Sequence, residues 1–156
     1  ALVCESRIKK HNATTSALCR KRNPFPIPMI LNITPVPKPR MVRSDAWKKR
    51  KCVLKYWEYK DGLNILANKA SYKIGNTLEN VTFVIPVPPS WSKKRKTAMI
   101  GAPHTQKPDL DNLIKAFQDC LCREDSHVHT INNVRKTWGT TGQIIISPSV
   151  DPASDE

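Results

Sequence analysis

Lys107-Pro108-Asp109-Leu110-Asp111-Asn112-Leu113-Ile114-Lys115-Ala116-Phe117-Gln118-Asp119-Cys120-Leu121-Cys122 is the stretch that decides the fold. Leu110, Leu113, Ile114, Phe117 and Leu121 recur at helical spacing, which predicts an amphipathic helix over 110–122. Pro108 suits a helix start and a still-extended Asp109. An amphipathic helix needs an apolar surface to lie on, and the flanking sequence supplies strands. Asn80-Val-Thr-Phe-Val-Ile85 reads as a strand closed by Pro86, Pro88 and Pro89. His127 to Trp138 and Gln143-Ile-Ile-Ile-Ser147 read as two more, joined into a hairpin by Gly139-Thr-Thr-Gly142.

Working outward toward the N-terminus, Met29-Ile-Leu-Asn-Ile-Thr34 alternates as a strand should, and Pro35-Val-Pro-Lys-Pro-Arg40 leaves it as a stiffened loop ending in a cation. Ser44 and Asp45 are good helix-start residues, and Trp47, Val53, Leu54 and Trp57 share a face, which predicts a helix over 45–60. Lys48, Lys49, Arg50, Lys51 and Lys55 occupy its other side, as on many solvated faces. Asp61-Gly62 breaks the pattern before a second helical stretch over 63–73. Trp91 to Lys96 reads as a basic loop, and 97–106 shows no period. The expected fold is α/β, a single domain with a mixed β-sheet flanked by helices in the order β-α-β-α-β-β. It occupies 26–148, between a basic disordered arm or expression remnant at 1–25 and an acidic tail at 149–156.

The chain has 156 residues, 39% apolar and 25% charged, with five glycines, which excludes collagen-like, repeat-array and multidomain architectures. At this length the core needs neither disulfides nor a structural metal. Cys4, Cys19, Cys52, Cys120 and Cys122 are odd in number and form no CxxC pair, as expected in a reduced compartment, and their spacing does not suit zinc. No apolar run is long enough to span a bilayer, and the first twenty residues lack the apolar core of a signal peptide, so a cytoplasmic location is expected. The NxT sequons at Asn12, Asn32 and Asn80 matter only in a secreted protein.

Twenty-six Lys and Arg against 13 Asp and Glu leave a formal charge of +13. A polyanionic partner explains such self-repulsion, and nucleic acid is the commonest, with anionic membrane as the rival. Lys38, Arg40, Lys93, Lys94, Arg95 and Lys96 are the candidate phosphate contacts, with Trp91 placed for base stacking.

In so basic a chain the acids stand out where they crowd. Asp109, Asp111, Asp119, Glu124 and Asp125 fall within one short stretch. Asp109 as helix cap and Asp111 as dipole complement explain two of them, and pairing of Asp119 with Lys115 explains a third. Neither explains Asp125. Carboxylates meeting beside a basic surface would make a hard oxygen site for magnesium or manganese, which activates water and polarises a phosphodiester. Lys115 would then offset charge developing on the phosphate. His127 and His129, on one predicted strand face, read as ordinary strand or DNA-contacting residues rather than ligands.

The run Lys107 to Lys115, followed by Ala116-Phe-Gln-Asp119 and Glu124-Asp-Ser-His-Val128, resembles the RusA family of Holliday-junction resolvases, common in phages and prophages. Pro35 to Arg40 is similar to that family's N-terminal signature. The resemblance extends from about Met29 to Ser147 and is strongest over 107–128. It implies a homodimeric, magnesium-dependent endodeoxyribonuclease that nicks opposing strands of a four-way DNA junction during recombination and repair. Asp109, Asp111 and Asp125 match the family's metal-binding catalytic carboxylates, and Lys115 its essential lysine; Asn112 and Asp119 match recurrent motif positions. Glu124-Asp125 stands where the family often has Asp-Asp, with the second acid catalytic. The basic insert at 91–107 and the N-terminal arm lie outside the match. Two other readings share the composition: a basic nucleic-acid-binding module without chemistry, and a related nuclease acting on flaps or forks.

Overall fold

The computed structural model describes residues 27–48 and 50–148. The expected arm at 1–25 and the acidic tail lie outside them. The strands are β1 (Met29–Leu31), β2 (Thr77–Glu79), β3 (Val81–Pro86), β4 (Thr130–Asn132), β5 (Arg135–Gly139) and β6 (Gln143–Ile146), and the helices are α1 (Lys51–Lys69), α2 (Lys93–Met99) and α3 (Leu110–Leu121). A four-stranded mixed sheet has the order β1-β6-β3-β5, and β2 and β4 form a separate parallel pair. The architecture is mixed α/β, as the sequence predicts.

β6 runs antiparallel to both neighbours, with Ile144 opposite Leu31 and Phe83, and Ile146 opposite Met29 and Val81. Partners across a ladder share a face, so Leu31, Val81, Phe83, Ile144 and Ile146 make one apolar surface. Tyr56, Tyr59 and Leu63 of α1 and Leu113, Ala116, Phe117 and Cys120 of α3 join them in the core. Phe83 and Phe117 meet edge to face at 5.9 Å, a favoured aromatic geometry. The Tyr59 hydroxyl is buried with no hydrogen-bond partner among the described residues, and burial raises its pKa far above the ordinary phenol value.

α3 begins and ends within a residue of expectation. α1 does not: one helix over 51–69 replaces the two predicted, and Asp61-Gly62 lies inside it. Glycine costs about 1 kcal/mol there, but Val53, Tyr56, Tyr59, Leu63 and Ala67 continue one buried stripe through it, and packing overrides propensity. A Cβ on Gly62 would stand 3.0 Å from the Ile33 side chain, so the bare backbone also admits the chain leaving β1. Ser44 and Asp45 fall in a short 3-10 turn instead of the helix. Asp45 takes the Val42 N–H at 2.8 Å and the fork of Arg50 at 2.5 and 2.6 Å. Those bonds lower its carboxyl pKa, the Arg50 bond most.

The expected strand from His127 to Trp138 is two strands in different sheets. Asn133 has φ +48° and Asn80 φ +53°, a left-handed conformation that Asn tolerates better than branched residues. The two asparagines bend β4 into β5 and β2 into β3 side by side, joined by Asn133 Nδ2 donating to Asn80 Oδ1 at 2.5 Å. His127 and His129 therefore precede β4 and bond locally, to Glu124 O and Thr130 Oγ1. The predicted hairpin over 139–142 is also absent: β5 and β6 lie on opposite sides of β3, so Gly139 to Gly142 crosses the end of that strand. A Cβ on Gly139 would stand 2.2 Å from Val84, and one on Gly142 2.6 Å from the Thr34 backbone. Close crossing, not a tight turn, is what requires the glycines. β1 stops at Leu31, short of Thr34.

Candidate active site

α3 carries the acidic motif on its first turn and its lysine one turn later. Asp109 is the N-cap residue by backbone conformation, yet its side chain accepts no capping hydrogen bond. The capping role proposed for it from sequence is thus not used. Asp109 and Asp111 are both exposed, and neither enters the ion pairs formed among the described residues.

At the other end of α3 the chain turns extended at Cys122 and folds back through a turn in which Val128 N–H donates to Asp125 O at 3.1 Å. This return carries Asp125 to Lys115, whose Nζ donates to Asp125 Oδ2 and lies 3.3 Å from Asp119 Oδ1. The Lys115 hydrogen bond holds the Asp125 carboxyl below its ordinary pKa. In turn the Asp125 bond raises the Lys115 pKa. All three side chains keep substantial solvent contact, so the network orders charges more than it stabilises the fold.

Lys38 adds the fourth member. Its Nζ pairs with Asp119 Oδ2, an ionic contact and not a directed hydrogen bond, and its N–H reaches Asn112 O at 3.4 Å. Predicted as a phosphate contact, it is committed to α3 in this structure. Pro37, Lys38, Lys107, Pro108, Asp109 and Asn112 line one open cleft. The proline-rich loop is held from its far side as well, where Arg50 Nη2 donates to Arg40 O at 2.8 Å, leaving the Arg40 side chain exposed.

The predicted basic loop is α2. Ser92 caps it by accepting from Arg95 N–H, Lys96 Nζ donates to Pro89 O at 2.8 Å, and Arg95 lies 4.1 Å from the Trp91 ring centre. Trp91 rests on Trp138 at 4.9 Å. The aromatic therefore anchors the basic segment to β5, while Lys93 and Lys94 are exposed.

The carboxylates suit a hard divalent cation in donor chemistry, but their placement does not: among the described residues no three His, Cys, Asp or Glu side chains stand together as a cage for an ion. The structure brings Lys115, Asp119, Asp125 and Lys38 together, with Asp109 and Asp111 beyond this group. Sequence reasoning missed Lys136, whose Nζ donates to Gln106 O at 2.8 Å and Pro108 O at 2.6 Å. Its only signal was a cation at an inward position of a strand.

No significant match to the chain is found among curated proteins. The family model described as Endodeoxyribonuclease RusA matches residues 32–147, a span that includes the Pro35 to Arg40 loop, all of α3 and Asp125. Nucleases of that family are generally divalent-metal dependent. No helix among the described residues is long and apolar enough to cross a membrane. With the match extending over most of the chain, the protein belongs to the RusA endodeoxyribonuclease family and is an enzyme of DNA phosphodiester hydrolysis.

Proposed function

We propose that the protein is a magnesium-dependent, homodimeric Holliday-junction resolvase that makes paired nicks during recombination and repair in the cytoplasm, with manganese able to replace magnesium. The observation that carries this reading is the meeting of Lys115 with Asp125 across ten residues of sequence, Lys115 lying on the same helix whose start carries two carboxylates that enter no ion pair among the described residues. A mere binding module has no use for acids that repel DNA.

In this reading Asp109, Asp111 and Asp125 would hold the metal, which would require Asp125 to part from Lys115 and the three carboxylates to draw together. What a bound Mg²⁺ supplies is a water of lowered pKa and positive charge against the phosphate oxygens. Lys115, once released, keeps its ammonium near Asp119 and offsets negative charge that grows on the phosphate. Arg40 and the cations of α2 hold the flanking phosphates, and Lys38 steadies the loop against α3.

The test is cleavage of a labelled four-way junction and a matched duplex, with Mg²⁺ and with EDTA, on a denaturing gel. Symmetric nicks in the junction alone, only with Mg²⁺, are expected. Cleavage of flaps or forks in preference to junctions would keep the chemistry and change the substrate; binding without cleavage would favour the non-catalytic module.

A second expectation concerns α2. Each phosphate neutralised by a lysine or arginine contributes about −0.9 to the slope of log affinity against log salt. Replacing Lys93, Lys94, Arg95 and Lys96 by Gln will flatten that slope by about two to four and weaken junction binding at low salt. Filter binding across a salt series measures it, and an unchanged slope removes α2 from the interface.

A further inference from the structure

Residues 101–108 form a strap along the outer edge of β5. Gly101, at φ +83°, donates its N–H to Trp138 O at 2.9 Å. Trp138 N–H returns to Ala102 O at 3.0 Å, and His104 N–H reaches Lys136 O at 3.1 Å. The His104 ring, almost fully buried, stacks on Trp138 at 4.0 Å. Burial pushes its pKa down, with Lys136 adding to the effect.

Beyond His104 the backbone pairing between strap and strand stops, and the side chain of Lys136 continues it. Its Nζ takes the carbonyls of Gln106 and Pro108 together. The lysine comes from a fixed place: its register partner on β3 is Phe83, which is fully buried. Pro108 O belongs to the peptide that leads directly into Asp109. Asp109 makes no capping bond with its own helix, so its carboxylate is placed by the backbone that carries it.

We propose that Lys136 is a positioning residue for strand cleavage: by holding the Gln106 and Pro108 carbonyls it fixes where the chain enters α3 and hence where Asp109 stands. The inference rests on the reading of Asp109 as a working carboxylate. Lysine suits the task because one ammonium has several donors and can serve two carbonyls that do not point along one line. Methionine fills the same stem volume with no donor, whereas arginine offers a fork that can still reach both oxygens.

The experiment compares Lys136→Met, Lys136→Arg and Asp109→Asn in single-turnover cleavage of a four-way junction with Mg²⁺. Junction affinity in EDTA and amide hydrogen exchange are measured on the same proteins. Lys136→Met is expected to cut about tenfold to a hundredfold more slowly, with junction affinity within about twofold of wild type. Exchange should quicken at Leu113, whose N–H donates to Asp109 O, and stay unchanged in β3 and β6, and Lys136→Arg should recover most of the lost rate. A Lys136→Met protein that cuts at the wild-type rate overturns the inference. So does one that loses cleavage and binding together with faster exchange throughout the sheet, because that marks an ordinary structural residue. Asp109→Asn separates the two levels: if it cuts normally, the reading of the site itself fails, whereas an inactive Asp109→Asn beside a fully active Lys136→Met removes only the role of Lys136.

Discussion

Asp111→Asn will lower the cleavage rate by about a thousandfold or more, equivalent to about 4 kcal/mol of transition-state stabilisation, and will bind a four-way junction as tightly as wild type or more so. The side chain is exposed on the first turn of α3 and outside the ion pairs of the described residues, so the amide fits without disturbing packing. What changes is charge. A neutral amide is a poor ligand for a hard cation, while removal of a negative charge from the surface proposed to meet DNA eases approach of the phosphates. Single-turnover cleavage with Mg²⁺ and a gel shift in EDTA read the two effects apart. A variant that cuts like wild type would show that Asp111 only complements the helix dipole.

Phe117→Ala acts on the fold beneath the site. Phe117 is fully buried, meets Phe83 at 5.9 Å and Tyr72 at 6.3 Å, and fastens α3 to the sheet through its middle. Truncation of a buried Phe costs about 3–5 kcal/mol, a large part of the roughly 5–15 kcal/mol that such domains possess. The urea midpoint should fall steeply with an unchanged denaturant slope, because a cavity alters stability and not the surface exposed on unfolding. A loss below about 1 kcal/mol would mean that α3 is held mainly by its ends. Asp111→Asn, by contrast, should unfold at the wild-type midpoint.

The helix that carries the motif was legible to within a residue because Leu113, Phe117 and their neighbours form a strong stripe that local periodicity reports. The carboxylates and Lys115 were legible as a motif, and the structure adds that Lys115 reaches Asp125 while Asp109 and Asp111 stand outside that group. Long-range decisions were not legible. Gly62 looks like a break to any local rule, and only the stripe formed by Tyr59, Leu63 and Ala67 against the sheet carries the helix past it. Asn80 and Asn133 look like ordinary strand residues until their left-handed backbones are seen to turn two strands together. Gly139-Thr-Thr-Gly142 has the composition of a hairpin, but its glycines answer to Val84 and Thr34, residues far away in sequence. Lys136 could not be found from spacing because the carbonyls it holds lie in a loop nearly thirty residues earlier.

The strand order has a consequence for synthesis. β6 is the last element of the described chain, yet it lies inside the sheet, between the first strand and β3. Until residues 143–146 leave the ribosome, β1 has no strand to pair with and β3 exposes one bare edge. Contacts between segments far apart in sequence form late, since loop closure must precede them. The nascent chain therefore carries the whole acidic motif before it can complete the sheet that supports it, and the site lacks that support until residues 143–146 have emerged.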